Sequence, residues 1–404
     1  MELKPRPKYL NMLVATRDNG LIKVITGMRR CGKSSLLALF HRYLTEHDIA
    51  EDHIININLE SFQYNDCDEK QLHQTIVTHI QDDGRYYLLL DEVQLVNHWE
   101  RAINALRVEH NVDIYLTGSN AHLLSSHLAT LLAGRYIEIN VFPLSFQEFL
   151  DYTNMHSDRI AAFDRYTRYG GLPPVVDQGT NQALAHTVLN GVYNTIVMRD
   201  IAQYLQIRNP MVFNDITRYL ADTAGSPTPV AKIEHRLVSS HRSTTNETIE
   251  RYISGLLDAY LFYRASRINV KGGGHLQGLN KYYPADLGIK NMLLGYPSGN
   301  FGVLLENVIH NELCTRGYTV QVGKIDKLEI DFVATRMRDD LTVEQILIQV
   351  SASIMDPETR RREFEPFLQL GNQPGRRMVL TLDTFGLGTV DGIDVVNALD
   401  WLTE

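Results

Sequence analysis

The chain has 404 residues, is 44% hydrophobic and 22% charged, and so has the average composition of a globular protein long enough for several domains. Its 39 basic and 48 acidic residues give a net charge of −9 with His neutral, which excludes a protein that coats nucleic acid unspecifically but leaves room for a local basic face. The cysteines Cys31, Cys67 and Cys314 are far apart and form no C-x-x-C pair, which excludes a disulfide framework and fits a reducing cytoplasm.

No apolar run reaches the length of a membrane span, and no long apolar core follows the basic N-terminal residues, so neither a membrane segment nor a secretory leader is expected. Histidines such as His122 and His127 lack partners at metal-ligand spacing. The expected location is cytoplasmic.

Across the first third of the chain, short β-type runs at 23–26, 54–59, 86–90, 113–117 and 136–141 alternate with helical stretches. Such alternation predicts an α/β fold with a parallel sheet, and nucleotide sites in such sheets lie outside the carboxyl ends of the strands. The first run leads into Gly27-Met28-Arg29-Arg30-Cys31-Gly32-Lys33-Ser34, and a helical pattern begins at Ser35. This is G-x-x-x-x-G-K-[ST] in the strand–loop–helix setting of a P-loop. Its glycines let backbone N–H groups turn toward phosphates, and the following helix adds its positive end. Gly27, Arg29, Arg30, Cys31, Gly32, Lys33, Ser34 and Ser35 are therefore candidate nucleotide contacts. Lys33 would reach the terminal phosphates and Ser34 the Mg²⁺. The residues identify a nucleoside triphosphate without specifying the base.

The third run ends Leu90-Asp91-Glu92, a Walker B pattern in which Asp91 supports Mg²⁺ and Glu92 polarises the attacking water. The fourth ends Leu116-Thr117-Gly118-Ser119-Asn120. Ser119 or Asn120 there is placed to sense the γ-phosphate, or equally to cap a helix over 121–128. The catalytic set is thus Glu92, Lys33 and Asn120. Arg135, ahead of the fifth run, is a candidate for transition-state charge in its own subunit or a neighbour's, which leaves a homo-oligomer open; a surface arginine is the plainer reading.

These motifs, with Ala133-Gly134-Arg135-Tyr136, Phe142-Pro143-Leu144-Ser145-Phe146, Tyr169-Gly170-Gly171-Leu172-Pro173 and Arg199-Asp200-Ile201, occur in order along the chain. The set resembles the prokaryotic AAA-type ATPases with a DUF4143 C-terminal region. The resemblance implies ATP as the nucleotide, an AAA+ ATPase core over 1–150, a helical segment over 151–206, a winged-helix-like module over 207–275 and a domain similar to PD-(D/E)XK nucleases over 276–404. Arg199 reads either as a nucleotide reporter or, preferably, as a structural ion pair.

In the third part, helix-start signals at Thr228-Pro229 and Ser243-Thr244, then a strand-like run at 261–265, fit the expected module. Arg236, His241, Arg242, Arg251, Arg264, Arg267 and Lys271 bias it toward double-stranded DNA, although such modules also contact proteins. In the last part, Glu306 lies on an amphipathic helix and Asp331 on an alternating strand. In the nuclease pattern, Gln349 stands in place of the second acid and Ser351 in place of the lysine, so nuclease activity is not expected unless a lysine such as Lys324 or Lys327 enters the site. The leading expectation is a Mg²⁺-dependent ATPase whose cycle moves or switches its domains. The alternative is a nucleotide-switched DNA-binding protein with a degenerate nuclease-like domain.

Overall fold

The computed structural model describes the chain apart from residues 1, 2, 119–131, 133, 203, 204, 243, 273, 298–300 and 372. It divides into two compact units, one formed by residues 1–142 with 258–260 and the other by 143–257 with 261–404. Among the described residues no helix is long and apolar enough to cross a membrane.

The first unit is a parallel five-stranded sheet: β1 (Ile22–Thr26), β2 (Ile54–Asn58), β3 (Tyr86–Asp91), β4 (Val112–Thr117) and β5 (Tyr136–Asn140), in the spatial order β2-β3-β4-β1-β5. Successive side chains of a strand enter opposite faces. Ile22, Val24, Leu88 and Leu90 pack on one face against Leu72 and Ile76 of α3 (Glu69–Val77) and Ile103 and Leu106 of α4 (Trp99–Glu109). Ile25, Tyr87 and Leu89 pack on the other against Tyr9 and Leu13 of α1 (Pro7–Ala15) and Leu36, Phe40 and Leu44 of α2 (Lys33–Glu46). Burial on both faces explains why the strands read as continuous apolar runs. The exception, Lys23, is fully buried and pairs with Asp113 on the adjacent strand. The consequence for function is the order of strands: β4 lies between β1, which ends in the glycine loop, and β3, which ends in Asp91.

The expected boundary at 150/151 falls inside α5 (Phe146–Thr153), a helix started by a Ser145–Glu148 capping box. Its Phe146, Phe149 and Leu150 enter the core of the second unit, with Leu305, Ile309 and Phe332. In that unit α6 (Arg159–Tyr169), α7 (Pro173–Val176) and α8 (Gln182–Thr195) lead through a π-helical turn at Ile196–Ala202 to α9 (Pro210–Asp222), α10 (Val230–Ser239) and α11 (Asn246–Asp258). The chain then enters an eight-stranded sheet formed by β6 (Phe262–Asn269), β7 (His275–Pro284), β8 (Thr319–Ile325), β9 (Leu328–Met337), β10 (Val343–Ser351), β11 (Arg376–Thr381), β12 (Gly388–Val390) and β13 (Ile393–Asn397). The helices that accompany it are α12 (Leu287–Leu294), α13 (Phe301–Thr315), α14 (Pro357–Gln369) and α15 (Ala398–Leu402). Because β6 pairs with β7 and also, in parallel, with β8, the expected boundary at 275/276 cuts a hairpin within one continuous sheet.

Candidate functional site

The site is built where β1 hands over to α2. Gly27 has φ +135°, and a Cβ there would stand 2.1 Å from the Val141 carbonyl oxygen. Arg30 at φ +68° and Gly32 at φ +106° continue the reversal, and Gly32 forms the N-cap of α2. The loop is pinned from below. The Cys31 thiol is fully buried and donates to Val141 O at 3.1 Å, and burial pushes its pKa up. The Arg6 guanidinium donates to Cys31 O and Phe142 O at 3.0 Å each and lies over the Tyr9 ring. Cys31 therefore braces the loop from inside, whereas Arg30, Ser34 and Ser35 are exposed on it.

Lys33 is buried, and its ammonium donates to Gly27 O at 2.9 Å and Met28 O at 3.2 Å. At the second residue of α2, the Ser34 hydroxyl donates to Asp91 Oδ1 at 3.1 Å. Thr117, the last residue of β4, completes the group: its hydroxyl donates to Asp91 Oδ1 and accepts the Glu92 N–H at 2.9 Å. Glu92 is itself buried in a left-handed conformation, φ +57° and ψ +47°, with the Gln94 amide donating to its carboxylate. Arg29 is buried and pairs with Glu60, just beyond β2, at 3.4 Å. The contact of Ser34 with Asp91 thus joins the start of α2, which carries Lys33, to the tip of β3, which Glu92 follows.

Thr117 was hidden in the sequence by its place at the end of an apolar run. A polar residue on the strand tip between the loop and the Asp91-Glu92 pair was the available signal. Arg6 carried none. Ser119 and Asn120 lie outside the described residues. Arg135 needs correcting as a contact within its own subunit: its carbonyl accepts from Ile22 N at 2.9 Å, at the start of β1, whereas the loop follows the end of that strand. Parallel pairing puts about 16 Å of strand between them. Arg135 is exposed there, facing solvent.

The second unit gathers a separate polar cluster. Its α13, β8, β9, β10, α14 and β11 run helix–strand–strand–strand–helix–strand, with β9 antiparallel to both neighbours and β10 parallel to β11. Gln349 accepts from Asp331 N at 2.7 Å and donates to Glu363 at 3.0 Å, while Ser351 donates to Ser353 O at 3.0 Å. The cation that enters is neither of the two lysines named above but Lys281 of β7, 3.2 Å from Glu306 and 3.0 Å from Glu329. Burial alone would lower its pKa, but the charges of Glu306, Asp331 and Glu329 hold it above the ordinary lysine value. Burial, then the Glu306 charge, raises Asp331 well above the usual carboxylate range. Among the described residues no group of three or more His, Cys, Asp and Glu side chains is placed to hold a metal ion. Of the basic residues expected on one face, Arg267 is buried against Glu329, Arg242 pairs with Asp215 and Lys271 with Asp326.

Two family models match the chain in turn. An AAA domain model matches residues 19–150, and a domain of unknown function (DUF8612) matches residues 160–299, in place of the DUF4143 region suggested by the motifs. An uncharacterized protein of Haemophilus influenzae is 37% identical over 99% of this chain and 98% of its own length. Another, of Methanocaldococcus jannaschii, is 26% identical over 82% of this chain and 76% of its length. Among solved structures, a Walker-type ATPase of Pyrococcus abyssi is 17% identical and covers 72% of this chain and 95% of that one at a TM-score of 0.50, a likeness of fold. The chain therefore belongs to the family of the Haemophilus influenzae protein, with an AAA domain of P-loop α/β architecture at its N-terminal end.

Proposed function

We propose that this protein binds ATP with Mg²⁺ on the loop 27–34 and hydrolyses it, and that the nucleotide cycle drives or switches a rearrangement of its domains. The observation that carries the reading is the meeting of Ser34 with Asp91 at 3.1 Å beside a loop that admits only glycine at position 27. A hydroxyl and a carboxylate are hard oxygen donors of the kind Mg²⁺ takes, so the residues present fit the ion. When bound, Mg²⁺ neutralises charge on the β- and γ-phosphates. Lys33 holds the terminal phosphates with a compact ammonium that rests on two loop carbonyls. The free N–H groups of the first turn of α2 favour the same anion.

Asp91 is oriented by Thr117, so its carboxylate keeps one position as nucleotide enters and leaves. Glu92 accepts the proton of the attacking water, and the Thr117 contact to its backbone ties that base to the same strand tip. Arg135, remote from its own loop, acts on the nucleotide of a neighbouring copy in a homo-oligomer. Purified protein should hydrolyse ATP in Mg²⁺. Glu92→Gln should keep ATP affinity within about threefold and lower turnover by about 100-fold or more. Equal turnover in the two proteins removes Glu92 from the mechanism.

The order α9, α10, α11 and then the β6–β7 hairpin supports a second reading, a winged-helix module on double-stranded DNA. The electrostatics favour the first: α11, which would enter a groove, exposes Glu247 and Glu250 beside Arg251. A gel-shift series across salt concentrations separates the readings, because DNA binding through phosphates weakens steeply with salt.

A further inference from the structure

We infer that Arg29 and Glu60 form a nucleotide-gated exchange: Glu60 holds the Arg29 guanidinium in the free protein, and the terminal phosphate of a triphosphate takes it over. The inference rests on the ATP reading above and assigns the residue that tells a triphosphate from a diphosphate.

The placement of the pair carries the argument. Arg29 is the second residue after Gly27, on the loop ahead of α2, and its side chain is 10% exposed. Glu60 sits past the far edge of the sheet. Its N–H donates to Asn58 Oδ1 at 2.8 Å, and the preceding Leu59 N–H donates to Asp91 O at 3.1 Å. Those two bonds fix Glu60 beside the Asp91 tip. In the sheet order β2-β3-β4-β1, the ends of β3 and β4 lie between Glu60 and the loop. Three strand spacings are about 14 Å, more than either side chain spans alone. A link between Arg29 and Glu60 therefore crosses the ends that carry Asp91 and Thr117, where Ser34 also arrives.

A guanidinium lying there stands beside Ser34 and Asp91, the pair that would hold Mg²⁺, and that ion bridges the β- and γ-phosphates, so the last phosphate of a nucleotide comes to its side of the site. The carboxylate is 43% exposed and meets Arg29 at 3.4 Å, in partly wet surroundings. Such pairs are weak, whereas a planar guanidinium can bind a phosphate through two parallel hydrogen bonds. A dianionic terminal phosphate thus outcompetes Glu60; a diphosphate leaves the pair in place. Release of Glu60 frees the turn that follows it, which carries Phe62, 90% exposed, so the state of the nucleotide reaches the surface at an aromatic side chain.

The test compares the affinities of ADP and a non-hydrolysable ATP analogue, each with Mg²⁺, in wild type, Glu60→Gln and Arg29→Gln, by calorimetry. Glu60→Gln removes the competitor and should tighten the analogue about fivefold with ADP unchanged. Arg29→Gln should weaken the analogue about tenfold more than ADP. A Phe62→Trp protein should change its emission with the analogue and not with ADP. If Glu60→Gln shifts both nucleotides equally or neither, the exchange is wrong while nucleotide binding stands. If wild type takes up neither nucleotide, the ATP reading itself fails and the exchange falls with it.

Discussion

Gly27 approaches Val141 so closely that no side chain fits between them: the position of a Cβ is 2.1 Å from the Val141 carbonyl oxygen. Val141 follows β5, the strand that borders β1, and its N–H donates to Thr26 O at 2.8 Å. Backbone is thus set on both sides of the turn. Gly27→Ala adds a clash with backbone to a φ of +135° that L side chains rarely adopt. The expected cost is about 3 kcal/mol, seen as a fall of roughly 10 °C in Tm, with loss of nucleotide binding. An alanine variant that binds ATP normally would show that the turn relaxes.

Thr117 joins Asp91 to Glu92 through one hydroxyl, accepting from one residue and donating to the other. Thr117→Val keeps the shape and removes both contacts, leaving the buried Glu92 N–H without that acceptor. Turnover should fall about tenfold or more, with little change in ATP affinity, and Thr117→Ser should restore most of it. Steady-state ATPase assays beside binding measurements separate these effects.

Lys281 neutralises Glu306 and Glu329 in the second unit. A buried charge left without its partner costs about 3 kcal/mol or more. Lys281→Met should therefore destabilise this unit by that amount in urea denaturation. Plasmid DNA should not be nicked by the wild type in Mg²⁺ or Mn²⁺. Nicking that disappears in Asp331→Ala would instead revive the nuclease reading of this cluster.

His310 is buried, stacks on Tyr283 with ring centroids 4.0 Å apart, and burial lowers its pKa to about 4. An unfolded histidine titrates near 6.5. Below that pH the unfolded chain takes up a proton that the folded chain refuses, so this group's contribution is whole above about 6.5 and is lost as pH falls toward 4. The loss amounts to about 3 kcal/mol. Asp286 works the other way, since burial raises its carboxyl to about 6 and protonation there favours the fold as pH falls. Stability curves of wild type and His310→Phe between pH 7 and 4 isolate the histidine: the wild type should lose about 3 kcal/mol relative to the variant on acidification. A constant difference would mean that His310 is already solvated.

The nucleotide end of the molecule was legible because its elements are local. The loop, the helix after it and the acidic strand tip each lie within a short stretch, and the five strand runs match the observed strands to within a residue or so at each end. What sequence spacing concealed was the third dimension. Arg135 neighbours a strand in the chain, but it precedes β5, and in a parallel sheet the start of one strand lies at the opposite edge from the end of another. Lys281 escaped notice although it lies in the same expected part, 276–404, as Glu306 and Asp331: only the pairing of β7 with β6, and of β6 with β8, brings it to their carboxylates. Arg267 looked like part of a solvated basic face, and only the β6 pairing turns it inward to Glu329.

The β6–β7 hairpin also governs how the protein can be dissected. A fragment starting at residue 276 would strip β8 of its parallel neighbour β6 and leave β7 without the strand it pairs with. Both would present raw backbone to other chains, the usual route to insoluble material. Expression of the second unit in usable form therefore requires a start ahead of α5, so that the helices that complete its core, the hairpin and the sheet are produced as one piece.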